Sequence, residues 1–135
     1  MSKDWADDIN MMHSAYGVHE WMATNPDKIL QYLDFCVNFI REELEETAVA
    51  VRESNAEEVV DGLIDICVVA ISTLDAFGVD AHKAWDEVLR ANMHKQVGVN
   101  KSRPNPLGLP DLIKPTGWKA PSHNLNYGLL FQTGE

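Results

Sequence analysis

Glu42, Glu43, Glu45 and Glu46 fall within five consecutive residues; Glu57, Glu58 and Asp61 follow after a short interval, with Asp65 one turn further on. Glu43 and Glu46 are three apart, as are Glu58 and Asp61, so each pair shares one face of a helix. Carboxylates converging from two helices describe a site for hard divalent cations, which take oxygen ligands and complete their shells with water and substrate phosphates. Glu43, Glu46, Glu58 and Asp61 are the expected ligands. The chemistry such a site supports is metal-assisted attack on a phosphate chain. Mg²⁺ is the expected ion, two or three per site, and Mn²⁺ should substitute. A carboxylate not spent on a metal can take a proton from the attacking water, and Glu42 and Asp65 are the candidates for that catalytic role.

An acidic run is ordinarily a solvated helix face. Two features set this one apart. The first run lies late in its helix, where the macrodipole disfavours anions and several carboxylates need a compensating cation. The second sits on an apolar helix, with Asp61 and Asp65 among Val59, Val60, Leu63, Ile64 and Ile66. Burying unpaired carboxylates there costs several kcal/mol, so each is expected to have a partner or a metal.

The elements that must position these groups are helices. Trp5, Ile9, Met12 and Tyr16 recur at helical spacing over residues 4 to 16, and Gly17 stops that helix. A loop is expected next. Asn25-Pro26 reads as N-cap and first helical residue of a long helix to about Arg52. Its apolar face takes Leu30, Leu33, Val37, Ile40, Leu44, Ala48 and Val51. A break at Ser54-Asn55 leads into a third helix over about 56 to 77. Ser54 with Glu57 and Asn55 with Glu58 both satisfy the capping-box spacing. This helix is apolar nearly all round, so it should be central or pack on another subunit. Gly78-Val79-Asp80 turns the chain, and Asp80 can cap a fourth helix to about Lys95. The short connection between the two acidic helices makes their ends neighbours.

From Gly98 onward the chain changes character, since five of its six prolines fall in residues 98 to 135. The expected organisation is a helical catalytic core over 1 to 97 and a Pro/Gly-rich, irregular C-terminal arm over 98 to 135 of the same domain, with no strand pair. The fold class is all-α.

A chain of 135 residues can build one domain with its own core. A net charge of −10 argues against general nucleic-acid binding, which needs basic surface. No membrane span and no signal peptide are legible. Cys36 and Cys67 lie in apolar helical patterns without CxxC spacing, as reduced core thiols of a cytoplasmic protein would. His13, His19, His82, His94 and His123 are scattered, and each is expected to be a surface or packing residue. None forms a Glu-x-x-His pair, which argues against a ferritin-like di-iron arrangement.

At the acidic residues the chain resembles the MazG-like all-α nucleoside triphosphate pyrophosphohydrolases, whose signature is E-E-x-x-E, a spacer, then E-x-x-D. Here it reads Glu42-Glu43-Leu44-Glu45-Glu46, then Glu58-Val59-Val60-Asp61. Arg90-Ala91-Asn92-Met93-His94-Lys95 and Lys114-Pro115-Thr116-Gly117-Trp118-Lys119-Ala120-Pro121 resemble the S-N-M-x-K and K-P-x-G-W-K-x-P segments of the small phage and bacterial branch akin to phosphoribosyl-ATP pyrophosphohydrolase. Met12-His13-Ser14-Ala15-Tyr16-Gly17 is similar to that branch's opening. The resemblance spans roughly residues 8 to 122.

The resemblance implies a helical bundle and hydrolysis of a (d)NTP to (d)NMP and pyrophosphate. It implies that Asn92 and Lys95 hold phosphates and that Lys119 adds to them from the arm. Trp118 either packs the arm in place or stacks near a base or ribose. The resemblance also implies a homo-oligomer, dimer or tetramer, acting on nucleotide in the cytoplasm, the host's if the chain is phage-encoded. Relatives in some phages act on dGTP, so dGTP or GTP is the favoured substrate. The alternatives are housecleaning of dUTP, dCTP or damaged nucleotides, then hydrolysis of phosphoribosyl-ATP, which fits a stand-alone chain with this tail less well, and, from another class, a non-catalytic helical scaffold that Mg²⁺ merely stabilises.

Overall fold

The computed structural model describes residues 4–101, 105–108 and 111–131. The parts of the expected arm at 102–104, 109–110 and 132–135 lie outside the described residues. Five helices and one short strand pair account for the regular structure among them, so the all-α class holds. The chain divides into two compact units, Met1–Ala81 with Tyr127–Glu135, and His82–Asn126.

The first unit contains α1 (Trp5–Ala15), α2 (Val18–Thr24), a single 3-10 turn (Pro26–Lys28), α3 (Ile29–Arg52) and α4 (Ala56–Ala76). Asp4 caps α1 by accepting the Asp7 N–H at 3.1 Å. Gly17 ends that helix in the left-handed conformation, φ +79°, which glycine adopts without a Cβ penalty. The segment expected to be a loop is instead α2. Seven residues are too few to show a period or to be stable alone, and Val18 and Met22 hold them by packing into the core. Asn25 does not cap the following helix. Its amide donates back to the Trp21 carbonyl at 3.0 Å, closing α2, and Pro26 opens the 3-10 turn that leads into α3.

The core gathers Met22, Ala76 and Phe77, with Val18, Ile29, Tyr32, Leu33 and Leu130 against them. Tyr32 stacks on Phe77, ring centroids 6.3 Å apart. Burial, with the neighbouring Cys36 thiol, pushes the Tyr32 hydroxyl up to about 12. Tyr127–Phe131 returns to this core, where the Leu129 N–H donates to the Phe77 carbonyl at 2.7 Å. The approach requires glycine at 128, since a Cβ there would run into the Phe77 carbonyl oxygen.

The helices α3 and α4 form a hairpin through Glu53–Asn55. Of the two possible caps, Asn55 is the one used, accepting the Glu58 N–H at 3.2 Å, while Ser54 takes a left-handed turn position at φ +54°. Within the chain α4 is covered mainly by α3 and α1. Its remaining apolar surface stays open, with Val60 63% and Leu63 52% exposed. The expectation that Asp61 and Asp65 are buried is therefore corrected for the single chain: Asp61 is exposed and Asp65 half-buried, because no element of this unit covers that side of α4.

The second unit contains α5 (Ala81–Met93, whose first residue belongs to the other unit), β1 (Gln96–Gly98) and β2 (Asp111–Ile113). The strands pair antiparallel, with Gln96 opposite Ile113 and Gly98 opposite Asp111. This pair was not expected, since three residues per strand are too few to show an alternation. The segment after β2 packs back on α5. Trp118 donates its indole N–H to the Ala91 carbonyl at 2.7 Å, and Ser122 donates its backbone N–H to Glu87 at 3.2 Å. Hydrogen bonds from Arg90 and from the Ser122 N–H hold the Glu87 carboxyl below its ordinary value.

Candidate functional site

The close approach of α3 and α4 centres on Thr47 and Gly62, both buried. A Cβ on residue 62 would run into the Thr47 hydroxyl, so glycine is what lets the helices meet there. The Thr47 hydroxyl donates to the Glu43 carbonyl one turn back, at 2.7 Å, and so has one fixed direction. Glu43 and Glu46 precede this crossing on α3, and Asp61 and Asp65 flank Gly62 on α4.

The electrostatics of Glu43 report which carboxylates the hairpin brings together. Partial burial and then the negative charges of Glu46, Asp65, Asp61 and Glu42 raise its carboxyl above the ordinary value. Four of the other five sequence-predicted acids thus act on Glu43. The sixth, Glu58, is exposed one turn N-terminal to Asp61, its N–H spent on the Asn55 cap. An all-oxygen, all-anionic donor set of this kind fits a hard divalent cation, which would relieve the repulsion Glu43 experiences.

The predicted substrate-binding residues Asn92, Lys95, Trp118 and Lys119 all belong to the second unit. Asn92 and Lys119 are exposed. The Lys95 and Lys114 ammoniums both lie over the Trp118 ring, 5.5 and 5.0 Å from its centroid. Gly117, at φ +80°, makes the turn that presents this ring, and the Trp118 N–H closes it on the Pro115 carbonyl at 3.0 Å. Lys114 was not among the predicted site residues, although it opens the same basic segment. Cation–π attraction holds both ammoniums on one ring despite their like charge.

A family model described as phosphoribosyl-ATP pyrophosphohydrolase matches residues 20–92, a little over half of the chain. The chain belongs to that family. The matched span contains both acidic runs and their hairpin, which is the part of the resemblance carried by the acidic signature. No curated protein and no solved structure matches the chain. The phosphoribosyl-ATP pyrophosphohydrolase family comprises nucleotide pyrophosphohydrolases, and the protein is an enzyme of this class, a hydrolase acting on a pyrophosphate bond. The family is in general metal-dependent. Among the described residues no helix is long and apolar enough to cross a membrane.

A second cluster was missed by sequence reasoning. His13 on α1 and His19 on α2, read as surface or packing residues, converge on Asp75 in the last turn of α4. The His13 Nδ1 and the His19 Nε2 both lie 2.7 Å from the same Asp75 oxygen, Oδ2. The Asn10 amide donates to Oδ1 at 2.8 Å. Burial alone would raise the Asp75 carboxyl, but the hydrogen bonds from Asn10, His19 and His13 outweigh it and hold the group below its ordinary value. The available signal was an anion in the last turn of an apolar helix, where the macrodipole opposes it.

Proposed function

We propose that the protein hydrolyses a nucleoside triphosphate between its α and β phosphates, adding water to give the nucleoside monophosphate and pyrophosphate, and that dGTP or GTP is the favoured substrate. The observation that supports this reading is the raised carboxyl of Glu43, on which Glu42 and Glu46 of α3 and Asp61 and Asp65 of α4 all act. In this reading Glu43, Glu46, Glu58 and Asp61 hold divalent cations, Mg²⁺ with Mn²⁺ as a substitute. These ions supply the positive charge that a triphosphate requires in order to approach an acidic protein.

The chain's own groups do the rest. Asp65 acts on Glu43 more strongly than Asp61 does and is half-buried, so it is assigned the proton from the attacking water, with Glu42 further out. The resemblance assigns the phosphates to Asn92, Lys95 and Lys119. Trp118 sets the directions of Lys95 and Lys114. Its two lysines and its committed indole N–H favour this orienting part over stacking on a base. The open apolar side of α4 supports a homo-oligomer, dimer or tetramer.

The family's own description favours a second substrate, phosphoribosyl-ATP. Both readings break the same bond, so the comparison is of kcat/KM over dGTP, GTP, dUTP, dCTP and phosphoribosyl-ATP with Mg²⁺ present. The highest value is expected for dGTP or GTP. A preference of tenfold or more for phosphoribosyl-ATP would transfer the assignment to it, and a preference for dUTP or dCTP would make the enzyme a housecleaning one.

A further inference from the structure

We infer that His13, His19 and Asp75 form a second metal site, separate from the carboxylate cluster and selective for a borderline divalent ion, Zn²⁺. The three side chains come from three helices, and their ligating atoms all lie within 4.8 Å of one another. Two imidazoles and one carboxylate are a donor set that suits Zn²⁺, whereas Mg²⁺ prefers the all-oxygen set of the other cluster. The two sites cannot be one. Asp75 lies ten residues beyond Asp65 on the same helix, roughly 15 Å along its axis.

The surrounding contacts already have the form of an outer coordination shell. Metal-binding imidazoles and carboxylates are ordinarily held by hydrogen bonds to their other polar atoms. The Ser14 hydroxyl lies 3.2 Å from the His19 Nδ1, the nitrogen that faces away from Asp75. The Asn10 amide binds the carboxylate oxygen that neither histidine reaches, Oδ1. His13 is buried, Asp75 nearly so, and His19 is partly open, its side chain 36% exposed. Beside it a cavity of about 340 Å³, lined by Asn10, His19, Asp75, Val79 and Leu129 among others, gives an ion a way in. Three protein ligands are one fewer than a closed tetrahedral site uses, so the fourth position falls to water or to a small ligand in that cavity.

The nitrogens stand 2.7 Å from Oδ2, the distance of hydrogen bonds to a shared carboxylate. Tetrahedral ligands about 2.0–2.1 Å from zinc stand roughly 3.3 Å apart. Binding therefore replaces the protons in these contacts with the ion and opens each contact by about 0.6 Å. The ion would tie α1 and α2 to the end of α4, so its loading should appear in stability as well as in stoichiometry.

The test is a zinc titration of the full-length, chelator-stripped protein against a chromogenic competitor, with excess Mg²⁺ to occupy the carboxylate cluster, alongside thermal melts. One Zn²⁺ per chain and a higher Tm are expected. His19→Ala should abolish that tight binding, and Ser14→Ala, which keeps all three ligands, should weaken it about 10- to 100-fold. Glu43→Gln should leave it unchanged. Circular dichroism would confirm that each variant is folded, and Co²⁺ in place of zinc should give visible bands that His19→Ala removes. The inference is overturned if the wild type takes up no stoichiometric zinc, in which case the cluster is a hydrogen-bonded tie only, or if uptake is the same in His19→Ala and Ser14→Ala as in the wild type.

Discussion

Glu43 is the residue whose carboxyl registers the repulsion among the acidic runs. Its raised carboxyl means that the unfolded chain loses this proton first as the pH rises from the ordinary glutamate value, so stability falls across the interval up to the folded value and stays lowered above it. Divalent cations should reverse that loss, raising Tm more at neutral pH than in acid below the ordinary value. Glu43→Gln should raise the Tm of the metal-free protein, shrink the response to Mg²⁺ and abolish turnover. Asp65→Asn should retain the Mg²⁺ response while kcat falls about 10²- to 10⁴-fold, the usual share of a general base. Melts with and without Mg²⁺ beside steady-state rates separate the two roles. The acidic runs were legible because each depends on spacing within one helix. The His13–His19–Asp75 cluster was not, because Asp75 is 62 and 56 residues from its partners and only the packing of three helices joins them.

At the scale of elements, the Thr47–Gly62 contact fixes where α3 and α4 cross and hence which carboxylates face one another. Gly62→Ala should cost about 1–3 kcal/mol by overpacking. Thr47→Ala in the same chain should recover most of that loss, a non-additivity that urea denaturation of the two single variants and the double variant would measure. At the other end of α4, Asn10→Ala removes a hydrogen bond to a charged carboxylate and should cost about 1 kcal/mol at neutral pH. Because the Asp75 carboxyl is depressed, the stability it confers is present above the ordinary aspartate value and is lost as the pH falls through the depressed one. The Asn10→Ala deficit should therefore vanish in strong acid. The long helices were legible from their period and breaks. The short α2 and the β1–β2 pair were not, since they are held by tertiary contacts and local propensity is silent about them.

For the molecule as a whole, we predict that another copy of the chain covers the open apolar side of α4. Val60 and Leu63 are more than half exposed, and Ile64 and Val68 on the same helix are exposed as well. Light scattering should give a dimer or tetramer, and Leu63→Glu should shift it to monomer with its circular dichroism preserved. An unchanged monomeric mass in the wild type would leave that face to some other partner. The apolar periodicity of α4 was readable as a need for cover, but which side stays open depends on where α1 and α3 land, and that required the fold.

The proposed cleavage falls between the α and β phosphates, at the acidic runs of α3 and α4. The most direct test is chromatography of the products formed from dGTP by the wild type and by Glu43→Gln, with Mg²⁺ and with excess EDTA. The wild type with Mg²⁺ should give dGMP and intact pyrophosphate in equal amounts, with no turnover in EDTA or in Glu43→Gln. Accumulation of dGDP with orthophosphate, or wild-type turnover that persists in EDTA, would contradict it.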